Sequence, residues 1–122
     1  MSENLIAFKR LDVWKRNYEL TTLIYVETDK FPSSELYGLT QQLRRASISV
    51  ISNIAEGCGR RTKKEKLMFF YIARGSLFEV ESQVEIAKNM KYVSDPSYEI
   101  LTKKIEISKK VLNGFIKHYK EK

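Results

Sequence analysis

SISVISNIAEGCGR, Ser47 to Arg60, sets four β-branched residues (Ile48, Val50, Ile51, Ile54) among three serines, Asn53, Glu56 and two glycines. With the residues before it, it forms a stripe. Leu36, Leu39, Leu43, Ala46, Val50, Asn53 and Gly57 recur at spacings of three and four, the period of one helix face. Large side chains give way to small ones toward Gly57. Ile48, Ile51 and Ala55 make a second apolar stripe. A helix apolar on more than one side is central in a bundle or sits at an interface. The stretch therefore predicts a helix crowded by its own subunit and by neighbouring copies. Ala46, Ser49 and Ser52 would admit Trp14, Tyr18 or Phe70.

The polar members of that helix need partners. Asn53 on the core stripe must satisfy its amide. Glu56 lies four residues before Arg60 and eleven after Arg45, so either arginine can pair with it if the helix stays regular. A Glu–Arg pair of this kind fixes register more than it stabilises.

Three breaks surround the helix. In DKFPSSE, residues 29–35, Pro32 forbids helix continuation and Ser33 or Ser34 can cap the next helix. In GCGRRT, residues 57–62, two glycines end one helix, and Thr62 with Glu65 makes a capping-box pattern for another. In VSDPS, residues 93–97, Asp95 can cap with Pro96 at the first helical position. Four helices result, near 12–29, 34–57, 63–92 and 96–120.

The other three carry their own stripes. The first has Val13, Leu20 and Ile24, flanked by Trp14, Tyr18 and Tyr25. The third has Phe70, Ala73, Leu77, Val80, Val84 and Ala87. The fourth has Tyr98, Leu101, Ile105, Ser108, Leu112, Phe115 and Tyr119, with Glu99, Lys103, Glu106, Lys110, Asn113, Lys117 and Lys120 on its far side. Short connections between long helices predict an all-α, antiparallel up-down four-helix bundle in one domain, 1–122. Gly75 is anomalous inside the third helix, where glycine costs about 1 kcal/mol relative to alanine. A close helix crossing or a local bend would account for it, and the crossing is favoured.

Composition narrows the function. The chain has 122 residues, 43% of them hydrophobic, with a formal charge of +7. That balance favours an anionic partner such as nucleic acid or a membrane surface. Cys58 is the only cysteine, so no internal disulfide forms. The start, MSENLIAFKRLD, lacks the apolar run of a signal peptide. No window holds the ~18 apolar residues of a spanning helix. Together these predict a cytoplasmic protein.

Three stretches resemble bacterial 23S rRNA intervening-sequence (S23) proteins, with the accessory variability determinant proteins of diversity-generating retroelements as relatives. They are LDVWKRNYEL at 11–20, FPSSELYGLTQQLRRASISVISNIAEGCGR at 31–60 and YIARGSLFEVESQVEIAKNMKYV at 71–93. The second is long and specific. The resemblance implies an antiparallel four-helix bundle that assembles as a ring-like homopentamer, with no established enzymatic activity. For the retroelement relatives it implies RNA and a reverse transcriptase as partners.

Catalytic patterns are lacking. His118 and Cys58 have no metal-ligand spacing, and GCGRRTKK lacks the G-x-x-x-x-G-K of a phosphate loop. Ser47, Ser49 and Ser52 have no histidine or lysine at helical spacing to act as a base. Glu79, Glu81 and Glu85 lack the accompanying histidine of a carboxylate di-metal site. No cofactor and no enzyme activity are expected.

The cations say more. RRTKKEK, residues 60–66, holds Arg60, Arg61, Lys63, Lys64 and Lys66 against Glu65 alone. They stand at a helix start, where the dipole disfavours cations by roughly 0.3–1 kcal/mol each. Free amides there also suit a phosphate oxygen. Lys103, Lys110 and Lys117 form a second cluster on the last helix, and Lys9, Arg10, Lys15 and Arg16 a third. A ring would multiply such contacts. Trp14, Tyr18 and Tyr25 fit core or interface spacing better than a base-stacking platform. The sequence thus predicts a noncatalytic oligomer binding RNA or another nucleic acid through phosphate. The alternative is a ring-shaped protein–protein adaptor that uses the two apolar faces of the second helix and the acidic stretch Glu79–Glu85.

Overall fold

A computed structural model describes residues 7–121. The first six residues of the N-terminal stretch, which bear on the expected lack of a leader, lie outside that range, as does Lys122. Four α-helices carry the described residues: α1, Asp12–Thr28; α2, Leu39–Cys58; α3, Lys63–Asn89; and α4, Asp95–Lys120. Short 3-10 turns precede α1 at Phe8–Arg10 and α2 at Ser33–Glu35. There is no strand among the described residues. Each helix packs on its two neighbours, α1 on α2, α2 on α3, α3 on α4 and α4 back on α1, with no diagonal pair. This is the antiparallel up-down bundle that short connections impose. No helix among the described residues is long and apolar enough to cross a membrane.

The stripe of α3 is buried throughout. On α4 Leu101, Ile105, Ser108 and Leu112 are buried, Tyr98, Phe115 and Tyr119 are only half-buried at the edge, and Ile116, outside the predicted stripe, enters the core. Phe70, Ala73, Leu77, Val80, Val84 and Ala87 face Leu101, Ile105, Leu112 and Ile116 in one core. On α4, Glu99, Lys103, Glu106, Lys110, Asn113, Lys117 and Lys120 all lie exposed. On α2 the buried set is Thr40, Leu43, Ala46, Ser47, Val50, Ile54 and Gly57. Ile54 is fully enclosed and Asn53 only half-buried. Leu43, Ala46, Val50 and Gly57 of the predicted stripe are therefore buried, and the seam widens to take in Thr40, Ser47 and Ile54 while Asn53 lies at its edge. Leu36 falls outside the helix and is exposed.

Two packing expectations are corrected. Phe70 is received by Gly57, not by Ala46, Ser49 or Ser52. A Cβ at Gly57 would stand 2.5 Å from the Phe70 ring. Trp14 and Tyr18 stack on each other at 5.0 Å, with Trp14 packed against the edge of the core and Tyr18 exposed. Gly75 is exposed, and a Cβ there would meet nothing within 4 Å. No helix of its own chain crosses at that point, so close approach does not explain this glycine.

The caps are local chemistry with tertiary additions. Thr62 accepts from the Glu65 amide at 3.1 Å and donates its hydroxyl to the Glu65 carboxylate at 3.0 Å, a capping pair as predicted. Ser94, not Asp95, caps α4, accepting from the Ser97 amide at 3.3 Å. Neither Ser33 nor Ser34 caps α2. The Glu35 carboxylate accepts from the Leu39 amide at 3.0 Å and from the Tyr92 hydroxyl at 2.9 Å. These bonds tie the start of α2 to the α3–α4 connection. The Leu39 amide, then the Tyr92 hydroxyl, hold the Glu35 carboxyl below the ordinary range. At the end of α3 the Tyr92 amide reaches the Ala87 carbonyl and the Lys91 amide the Lys88 carbonyl. That closing motif places Lys91 at φ 63°, in the left-handed region.

Candidate nucleic-acid interface

The up-down order decides where the cations go. α1 and α3 begin at the end of the bundle where α2 and α4 finish. Phe8, in the turn before α1, lines a cleft with Ser52, Ala55, Glu56, Gly59 and Arg60. Tyr119, near the end of α4, lies 5.3 Å from Phe70, which sits over Gly57. Lys9 and Arg10, the 60–66 turn, and Lys117 with Lys120 therefore share one end of the molecule. All of these except Lys66 are exposed.

The cations of that turn are not equivalent. Arg60 pairs with Glu56 at 2.9 Å and lies 4.7 Å over the Phe69 ring. Both partners of the pair are well exposed, which puts its worth at about 0.3–0.5 kcal/mol. It orients the guanidinium more than it holds the fold. This settles the two-way choice for Glu56 in favour of Arg60. Arg45 lies more than three turns away on α2 and makes no ion pair with a described residue. Lys66 is half-buried and donates to the Cys58 carbonyl at 3.1 Å. It satisfies the carboxyl end of α2 and is a structural lysine first. Arg61 and Lys64 are exposed and form no ion pair among the described residues, and Lys63 is exposed beside them. The expected free amides at the start of α3 are reduced by one, because Thr62 takes that of Glu65.

The second cluster divides. Lys117 belongs to the cationic end. Lys110 and Lys103 lie at seven-residue intervals from it along the exposed face of α4, about 10 and 21 Å away at 1.5 Å per residue. Asn53 is structural. Its amide donates to the Ser49 carbonyl at 2.8 Å and the Ser49 hydroxyl at 3.1 Å. The Ser49 hydroxyl in turn meets that of Ser76 at 2.8 Å, which links α2 to α3. The second apolar stripe of α2 is only partly covered by its own chain: Ile48 is 40% exposed, while Ile51 and Ala55 are half-buried. Burial pushes the Cys58 thiol up, which keeps it protonated. Among the described residues no three His, Cys, Asp or Glu side chains converge to hold a metal.

The family model of the 23S rRNA-intervening sequence protein matches residues 9–114. The chain belongs to that family. A crystal structure from Bacteroides thetaiotaomicron, described as a protein of unknown function from the S23 ribosomal protein family, matches this family member with a TM-score of 0.79. The two are 20% identical over 86% of this chain and 95% of that one, a likeness that shows the fold. No curated protein matches the chain.

Two features of this intervening-sequence family protein escape sequence reasoning. Arg44 lies 4.6 Å over the Tyr25 ring and donates from Nε to the Thr28 hydroxyl at 2.9 Å. Tyr37 is 87% exposed. Nothing local marks either residue, since Arg44 depends on how α2 packs on α1 and Tyr37 on how the 31–38 connection folds. The acidic stretch also reads differently in three dimensions. Glu81 accepts from Lys109 at 3.1 Å and Glu85 from the Tyr98 hydroxyl, both across the α3–α4 seam. Only Glu79 and Glu85 are exposed, so the stretch offers no continuous acidic face.

Proposed function

We propose that this chain is a noncatalytic RNA-binding protein of the cytoplasm. It works as a homo-oligomer and grips phosphate with the cationic end of its bundle. One observation carries the reading: the antiparallel order brings three separate basic segments to the same end. Arg61 and Lys64 are the foremost contacts, Arg60 is an oriented third, and Lys117 is a contribution from α4. Lys63, Lys9 and Arg10 flank them. Phosphate contacts of this kind give affinity without reading sequence. The family description, which refers to an intervening sequence of ribosomal RNA, supports RNA as the nucleic acid. Copies arranged in a ring, the pentamer that the family resemblance implies, would raise weak contacts to useful avidity.

A filter-binding salt titration tests this. Each neutralised phosphate contributes about −0.7 to −0.9 to the slope of log affinity against log salt. Three or more contacts per chain therefore predict a slope steeper than about −2. RNA affinity that is undetectable at low salt, or flat with salt, refutes the phosphate mechanism.

A second reading has its own observation. The outer face of α3 leaves Met68, Ile72, Phe78 and Ile86 about half exposed around the open Gly75. An adaptor would use that face to dock a protein, such as the reverse transcriptase served by the retroelement relatives. Substitutions at Ile72 and Phe78 that abolish activity in cells while RNA affinity is unchanged would favour the adaptor.

A further inference from the structure

Away from the cationic turn, the 31–38 connection and the first turns of α2 form a cleft of about 320 Å³ against α1, lined among others by Tyr25, Leu36, Tyr37, Gln41, Arg44 and Arg45. We propose that this cleft takes one unstacked nucleotide of a single-stranded RNA, with its base on the Tyr37 ring and its phosphate on Arg45 and Arg44. The proposal rests on the reading that the partner is RNA, and it assigns that RNA a second contact of a different kind.

The chemistry of the walls selects this occupant. Tyr37 precedes α2, so its ring stands clear of the helix with 87% of its surface in water. An aromatic face so exposed does no work in the core. Leu36 beside it is 49% exposed and supplies an apolar flank. Arg44 is preorganised. The Thr28 hydroxyl holds its Nε and the Tyr25 ring lies under its plane, which leaves the terminal nitrogens for an anion. Their nearest carboxylate, Asp29, is 3.9 Å away and 88% exposed, a long pair screened by water. Arg45 is exposed and pairs with no described carboxylate. Gln41 adds an amide that can meet a base edge. A ring in water beside two available guanidiniums is the combination that binds single strands with little sequence preference. A duplex gains nothing from Tyr37, because its bases are already stacked. Arg45 and Cys58, the last residue of α2, lie thirteen residues apart, about 20 Å, and Arg60 follows just beyond the helix end. A strand lying along α2 therefore reaches both this cleft and the cationic end.

Fluorescence anisotropy of the full chain with a short oligouridylate, and with an RNA duplex of equal phosphate number at the same salt, tests the assignment. Tyr37→Ala should weaken the single strand by about 5- to 150-fold and leave the duplex unchanged. Tyr37→Phe should retain the single-strand affinity. Arg45→Gln should lower the single-strand salt slope by about 0.7. Nuclear magnetic resonance with uridine monophosphate alone should shift the Tyr37 ring signals. That readout does not depend on the cationic end. If Tyr37→Ala binds both RNAs as the parent does and the ring signals stay fixed, the proposal fails while the phosphate reading stands. Equal loss on strand and duplex also overturns it. If the single strand does not bind the parent at all, the cleft assignment fails together with the phosphate reading, whatever the mononucleotide does.

Discussion

Gly57→Ala and Gly75→Ala are the same change in adjacent helices, and the structure gives them opposite signs. At Gly57 the added methyl would stand 2.5 Å from Phe70 Cε1, 2.9 Å from Cδ1 and 3.1 Å from the Lys66 carbonyl oxygen. Carbon contacts are comfortable at about 3.5–4.0 Å, so the ring must withdraw by about 1 Å. It has nowhere to go. Phe70 is fully buried, with Phe115 at 4.7 Å and Tyr119 at 5.3 Å. Overpacking of this kind costs about 1–3 kcal/mol. The helical preference of alanine returns at most about 1 kcal/mol, less in a last turn. The net expectation is a loss of about 1–2 kcal/mol, or a fall of about 0.5–1 M in the urea midpoint at a slope near 2 kcal/mol/M. At Gly75 no atom lies within 4 Å, so only the gain of up to about 1 kcal/mol remains. Urea unfolding followed by circular dichroism measures both. Equal shifts for the two variants, or a more stable Gly57→Ala, would refute the packing argument.

Three further outcomes are expected. Lys91→Gly removes a left-handed lysine at φ 63°, and thermal unfolding should show a gain of up to about 1 kcal/mol. Ser108→Ala deletes a fully buried hydroxyl with no partner among the described residues, and urea unfolding should show about 1 kcal/mol of added stability. The Glu35 carboxyl is lowered by the Leu39 amide and the Tyr92 hydroxyl. Its contribution is therefore full above the unfolded carboxylate value of about 4.3 and is lost as pH falls through the lower folded value. Glu35→Gln should be less stable than the parent at neutral pH, and the gap should close in that acid window.

The bundle was legible because α3 buries its whole predicted stripe and α4 sets most of its own against a charged, solvated far side. The cap at Thr62 was legible because its partners lie within one turn. The misreadings have a common source. α2 buries both Ala46 with Ser47 and Val50 with Ile54, a sector wider than one heptad seam, and a single seam takes Asn53 in place of its apolar neighbour Ile54. Its true start depends on Glu35 reaching Tyr92, fifty-seven residues away in sequence. The reason for Gly57 is the position of Phe70 on the next helix, which no local pattern shows. At the candidate interface, the sequence showed the cations but not which were already engaged. Lys66 and Arg60 are committed locally, whereas Arg61 and Lys64 are available. The exposed Tyr37 was hidden in a connection whose geometry is tertiary.

The most direct test of the cationic end holds charge constant and changes place. Arg61→Glu with Lys64→Glu alters the turn, and Lys103→Glu with Lys110→Glu alters the far face of α4 by the same charge. RNA affinity of each is measured at one low salt concentration. The account predicts that the turn variant loses most of its binding while the α4 variant keeps most of it. Equal losses would show that net charge alone draws the RNA, and would contradict a site at the end of the bundle.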